Sequence, residues 1–129
     1  MAAPRAIVLF AHGARDPRWA EPFQAVAARI RAADPHCAVA LAFLELMSPS
    51  LGEAADALIA GGARRIDIVP LFLGTGGHLR NDLPPLVEAV RTAHPEARVT
   101  LHAAIGEHAG VVAAMAIAAL GVALPGDGE

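Results

Sequence analysis

Four short apolar runs, each followed by a stretch of helical character, constrain this chain more than any other feature. The runs are Ala6 to Ala11 (AIVLFA), Ala38 to Leu44 (AVALAFL), Arg65 to Phe72 (RIDIVPLF) and Ala97 to Ala103. The first has no polar alternation, the pattern of a strand buried on both faces. Asp16 can cap a first helix with Pro17 at its first position, and Phe23, Val26, Ala27 and Ile30 recur at helical spacing until Asp34-Pro35. A second helix is expected from a Ser48 cap, with Pro49 next and Glu53 nearby, to about Ala60, where Gly61-Gly62 stops it. Leu73 to Arg80 (LGTGGHLR) reads as a glycine-rich loop. Asn81 or Asp82 opens a third helix that runs to about His94, and a last helix spans roughly His108 to Leu120. Pro70 removes a ladder donor, so it belongs near the carboxyl end of its strand. The order βαβαβαβα predicts a three-layer α/β fold, a four-stranded parallel sheet with helices on both faces.

The chain has 129 residues, enough for one domain, with a core expected over about 5–121 and a tail over 122–129. Apolar residues make up 55%, so a core can form without disulfide or metal staples. Ten basic residues, all arginine, face 13 acidic ones for a net charge of -3, which is not the footprint of a nucleic-acid binder. Cys37 is the sole cysteine, so no intramolecular disulfide and no CxxC motif can form, and it reads as a small core residue. The N-terminus lacks the long apolar region of a signal peptide. Ala109 to Leu124 is apolar but short for a membrane span, and Gly110, Gly121 and Pro125 interrupt or bound it. The expectation is a buried helix in a soluble, cytoplasmic protein with no membrane partner.

In an open α/β sheet, ligands bind beyond the carboxyl ends of the strands, where the strand order switches. His12 follows the first strand, Glu45 the second, and the loop carrying His78 the third, so three potential metal ligands share one edge. In a 2-1-3-4 order, strands one and three are neighbours, and His12 and His78 face each other across the switch point. Glu45 lies in the apolar stretch FLELM, where a carboxylate must be solvated, paired or functional. His36 and His94 adjoin helix-stopping prolines and read as surface turns, while His102, near the end of strand four, has no assigned role. Gly74, Gly76 and Gly77 lack the GK[ST] ending of a phosphate loop; they let backbone pass close to a flat ligand or let the loop move. A histidine phosphatase would need arginine before His12, where Ala11 stands.

Three segments carry a resemblance across about residues 6 to 120: HGARDP (His12 to Pro17), FLEL with its following proline (Phe43 to Pro49), and VPLFLGTGGHLRNDLP (Val69 to Pro84). Together with IGEH (Ile105 to His108), they make the chain similar to the short sirohydrochlorin chelatases of cobalamin and siroheme synthesis, in the class II chelatase superfamily. Ala14 departs mildly from the serine commoner at that position. The resemblance implies a four-stranded parallel sheet, and a homodimer in which each chain stands for half of a two-domain chelatase. The apolar last helix and the helix after Ser48 are the candidate contact surfaces.

The resemblance further implies that His12 and His78 are the metal-binding histidines, with Glu45 at the acidic position after strand two. Insertion replaces two pyrrole N–H protons with one divalent metal. Neutral imidazole can hold the metal and accept a proton near neutrality, since histidine ordinarily titrates at about 6.5. Imidazole suits cobalt, iron(II) and nickel, whereas magnesium prefers oxygen ligands. The expected substrates are therefore a sirohydrochlorin-type tetrapyrrole and Co²⁺, with Fe²⁺ or Ni²⁺ as alternatives, and no organic cofactor or ATP. Arg15 and Arg80, on the same rim with Arg18, are candidates for the macrocycle's carboxylates, and Gly76 and Gly77 for its flat face. The other readings are a non-catalytic metal or tetrapyrrole carrier and a partner domain of a larger chelatase.

Overall fold

A computed structural model describes residues 4–74 and 76–123, with residues 77 and 78 described by their backbone alone. The calls on the tail beyond 123 and on the His78 side chain lie outside the described residues. Strands β1 (Arg5–Ala11), β2 (Ala38–Phe43), β3 (Arg65–Pro70) and β4 (Arg98–Leu101) alternate with helices α1 (Glu21–Ala33), α2 (Leu51–Ala60), α3 (Gly77–Ala93) and α4 (Ala109–Ala123). The sheet is parallel throughout, as the alternation predicted, and its order is β2-β1-β3-β4, which makes the first and third strands neighbours. In register, Ile7 pairs with Val39 on one side and with Asp67 on the other, and Asp67 pairs with Thr100.

The pleat divides the strands between two faces. Ala6, Val8, Phe10, Ile66, Ile68 and Val99 point to one face and form the main core with Leu51, Ala55 and Ile59 of α2 and Leu83, Val87 and Val90 of α3. Leu9 and Val39 point to the other face, where Ala27 and Ile30 of α1 cover them. The α1 stripe runs through Phe23, Ala27 and Ile30, while Val26 lies beside it and is exposed. Arg31 donates to the Val39 carbonyl and Arg91 donates twice to that of Val99, so an arginine in the last turn of a helix satisfies an outward carbonyl on each edge strand.

Several boundaries differ from the sequence expectation. The stretch from Pro17 opens as a 3-10 turn, Pro17–Ala20, before α1 begins at Glu21. The cap of α2 is Ser50, not Ser48: its hydroxyl accepts from the Glu53 N–H, and the Glu53 carboxylate accepts from the Ser50 N–H. The third helix starts four residues earlier than Asn81, so His78 and Arg80 lie in its first turn and not in a loop. Pro84 and Pro85 sit inside the helix, beyond the first turn that proline favours. The last helix starts at Ala109, one residue later than expected. The larger departure is burial: no residue of α4 is buried, although an apolar run of this length reads as core.

Candidate active site at the carboxyl edge

β1 ends on two fully buried residues, Phe10 and Ala11, and the chain emerges at His12, which is exposed. The His12 ring rests on Phe72, with ring centroids 4.6 Å apart and planes tilted by 46°. Phe72 is buried, packs on Phe10 and follows β3 by two residues. Adjacent strands thus bring a fixed aromatic wall beside an imidazole whose other side faces outward. Leu71 extends the pairing beyond β3 by donating its N–H to the Phe10 carbonyl.

Two glycines weld the loops of this edge together. Gly13 has φ +97°, and a Cβ there would lie 1.7 Å from the Glu45 carbonyl oxygen. The Glu45 N–H donates to the His12 carbonyl at 3.0 Å, and the Leu44 N–H to that of Ala11. Glu45 is thereby held next to His12 through the backbone, and its side chain is exposed. Leu46, with φ 66°, turns the chain sharply after it. On the other side, a Cβ on Gly106 would fall 2.1 Å from the Leu73 carbonyl oxygen, and the Gly106 N–H donates to the Phe72 carbonyl. Loops from all four strands therefore meet at one edge, fixed by main-chain contacts.

The first turn of α3 carries His78 and Arg80 to this edge. Its N-cap, Gly76, offers no side-chain oxygen to the helix's first N–H groups, which leaves them suited to an anion. Arg15 and Arg80 are exposed. Arg80 lines a 170 Å³ hollow with Leu83, His102 and Glu107. Arg18 is engaged differently: Asp16 caps the 3-10 turn and binds its guanidinium at 2.8 Å, which holds the Asp16 carboxyl below the ordinary aspartate value. Among the described residues, no three His, Cys, Asp or Glu side chains gather into a metal-binding group.

One hollow of 320 Å³ opens between α2 and α3, lined by Phe10, Leu51, Leu86 and Val90, and another of 530 Å³ lies between α1 and β2 and reaches Met47, Ser48 and Pro49 of the loop after β2.

Three residues here escaped the sequence reading. Phe72 appeared only as an apolar strand residue. His102 bonds through Nε2 to Asp67 Oδ1 at 2.8 Å, across from β4 to β3. His94, expected in a surface turn, is the C-cap of α3, with its side chain only 18% exposed and Nε2 2.6 Å from Asp56 Oδ1 of α2. The legible signal was the glycine that follows His12 and the one in IGEH, each at a strand exit where backbone must pass close to backbone.

The sequence matches the CbiX family over residues 6–119. It is 34% identical over 82 residues to the sirohydrochlorin cobaltochelatase of Methanococcus aeolicus, covering 64% of this chain and 57% of that protein. It is 31% identical over 114 residues to the sirohydrochlorin ferrochelatase of Bacillus subtilis, covering 86% of this chain and 42% of that one. The chain thus spans less than two thirds of the length of these relatives. Among solved structures, a CbiX protein from Marinobacter aquaeolei VT8 superposes with a TM-score of 0.81 at 31% identity, over 92% of this chain and 97% of that one. SirB from Bacillus subtilis with Fe3+ superposes with a TM-score of 0.77 at 27% identity, over 94% of this chain but 48% of that one.

Proposed function

The chain belongs to the CbiX family, and on that premise we propose that it is a sirohydrochlorin chelatase that inserts a divalent metal with His12 and His78. The observation that carries the reading is the rim itself: an outward imidazole on an aromatic wall, beside the first turn of α3, at the switch between β1 and β3. A flat macrocycle is wide and needs an open edge. Its peripheral carboxylates suit Arg15, Arg80 and the uncapped start of α3, where Gly76 and Gly77 let the backbone come close.

In this reading, the incoming metal is bound by imidazole nitrogen while the macrocycle lies across the rim. As the metal forms bonds to the pyrrole nitrogens, two N–H protons leave. The imidazoles of His12 and His78 can each accept one as the metal leaves them, and Glu45, whose main chain is bonded to that of His12 and whose side chain is exposed, can carry protons outward. Phe72 gives the His12 ring an aromatic surface to rest on. Charge balances: M²⁺ enters and two H⁺ depart.

We place cobalt first among the metals, with iron(II) and nickel as competitors, because imidazole serves all three and affinity follows the metal more than the site. The product would serve cobalamin or siroheme synthesis. Two copies of the chain are proposed to work together, since SirB is matched over only 48% of its length. The test is the metal-dependent absorbance change of sirohydrochlorin with purified protein and each metal in turn. Multiple turnovers are expected with at least one. A stoichiometric spectral change without turnover would identify a carrier, and no change with any metal would contradict the proposal.

A further inference from the structure

Outside α4, the most exposed large apolar side chains among the described residues are Leu73 and Leu46, at 73% and 60%. Both stand at the carboxyl edge. Leu46 lies three residues beyond β2, and Leu73 three residues beyond β3. β1, which ends just before His12, runs between those two strands. Neighbouring strands are about 4.8 Å apart, so the two loops leave the sheet about 10 Å apart, with His12 between them. Phe43 pairs with Ala11 and Pro70 with Phe10, so the two leucines stand at nearly the same height beyond the sheet.

A single exposed leucine needs no explanation. What sets these two apart is how rigidly the backbone presents them. The Met47 N–H donates to the Glu45 carbonyl at 2.8 Å, which closes a three-residue turn around Leu46, and Leu46 has φ 66°. A γ-turn with positive φ is rare and strained, and leucine lacks the freedom that glycine has there. The exposed side chain gains little from packing within the chain, so its own contacts do not offset the strain. The same Glu45 carbonyl lies against Gly13, which ties the turn to the residue after His12. Leu73 is held from the other side. Gly106 packs without a Cβ against its carbonyl, and the Gly106 N–H donates to the Phe72 carbonyl. Strained or clamped backbone that displays an apolar side chain to solvent suits a ligand contact better than a core.

The proposed substrate has two chemical parts. Its periphery is anionic and suits arginine. Its centre is a flat conjugated plate whose faces are apolar and leave water most favourably against apolar side chains. His12 is polar, Glu45 is charged, and Phe72 is buried against the His12 ring. Leu46 and Leu73 are the exposed large apolar side chains on the loops that flank His12.

We propose that Leu46 and Leu73 are the two apolar supports on which the face of the tetrapyrrole rests, positioning its central nitrogens at His12. This rests on the chelatase reading above and adds the residues that hold the plane of the macrocycle. They are positioning residues, and neither takes part in metal or proton transfer. The strained turn at Leu46 keeps its side chain at the height of Leu73 on the far side of β1.

The test is titration of metal-free sirohydrochlorin into the full chain, followed by the visible absorbance of the tetrapyrrole, for wild type, Leu46→Gly and Leu73→Gln. Melting temperature and metal-insertion rate are measured on the same samples. Leu46→Gly removes the contact but relieves the turn, so affinity and stability should part: Kd is expected to rise about tenfold, while the melting temperature holds or rises. Leu73→Gln keeps the size of the side chain but not its apolar surface, and a similar rise in Kd is expected. Both losses should persist at high salt, which screens an arginine–carboxylate contact but not an apolar one. A Kd unchanged in either variant, or a loss that disappears at high salt, would overturn the proposal. So would a clear fall in the melting temperature of Leu46→Gly, which would show that Leu46 packs within its own chain. If wild type inserts metal while the variants bind as tightly as it does, the chelatase reading stands and this inference falls. If wild type binds without inserting metal, the chelatase reading falls and the Kd comparison still decides the leucines. No binding by wild type would overturn both.

Discussion

At the scale of single residues, what the site depends on is backbone reach. His12 was legible as a candidate because it directly follows an apolar run that fits a strand buried on both faces. What holds it was not legible, since the contact between Gly13 and Glu45 joins residues far apart in the chain, and only the register of β1 on β2 creates it. Gly13→Ala combines a left-handed φ with a Cβ far inside van der Waals contact with a carbonyl oxygen, so the two loops must part. A loss of at least about 2 kcal/mol is expected, together with a fall in any activity. Urea denaturation checks the first and the insertion assay the second; an unchanged midpoint would show that the loops are not welded. Asp34 offers a pH prediction. The Arg5 guanidinium hydrogen-bonded to it holds its carboxyl below the ordinary value. A carboxyl that ionises more readily folded than unfolded adds stability that is complete above about pH 4 and is lost as pH falls through the folded value. Melting temperatures of wild type and Asp34→Asn should therefore differ slightly at neutral pH and converge on acidification. A gap that widens in acid would assign the wrong sign to the pair.

At the scale of elements, the alternation of apolar runs and helices was enough to specify four strands, four helices and a parallel sheet, and the β2-β1-β3-β4 order is one of the few that right-handed crossovers leave. Local competition blurred the ends. Ser48 and Ser50 both precede a helix, and only the reach of Glu53 to the Ser50 N–H selects the latter. α3 packs deeply enough, through Leu79, Leu83 and Val87, to absorb the two donors that Pro84 and Pro85 lack. A weak internal echo also went unread: Arg31-Ala-Ala-Asp-Pro-His-Cys-Ala-Val39 and Arg91-Thr-Ala-His-Pro-Glu-Ala-Arg-Val99 place the same arginine on the same strand carbonyl. The Arg91 side chain is 44% exposed, which weakens its two bonds. Arg91→Ala is expected to cost about 1 kcal/mol, the size of an ordinary hydrogen bond and below that usual for a charged donor. Chemical denaturation measures it; a change within error would mean that water serves the Val99 carbonyl equally well.

At the scale of the whole molecule, one chain gives a rim and an exposed helix. The apolar composition of α4 announced burial, but no sequence pattern says which chain will do the burying, and that is why the expectation of a core helix failed here. The open carboxyl edge and the exposed α4 both belong to a chain that covers half of SirB. If two copies pair, dilution should lower melting temperature, because stability then depends on protomer concentration. A melting temperature independent of concentration over several decades would count against the pairing. The central claim is chemical, and the most direct measurement is the initial rate of metal insertion into sirohydrochlorin at saturating metal for wild type, His12→Ala and His78→Ala, with melting temperature taken on the same samples. His12 is exposed and His78 lies in the first turn of α3, so neither substitution should shift melting by more than a few degrees, the effect of about 1 kcal/mol. Each variant is expected to lose roughly 10²-fold or more in rate, the scale of a missing proton acceptor. Rates close to wild type in both variants would contradict the assignment of the carboxyl edge as the catalytic site.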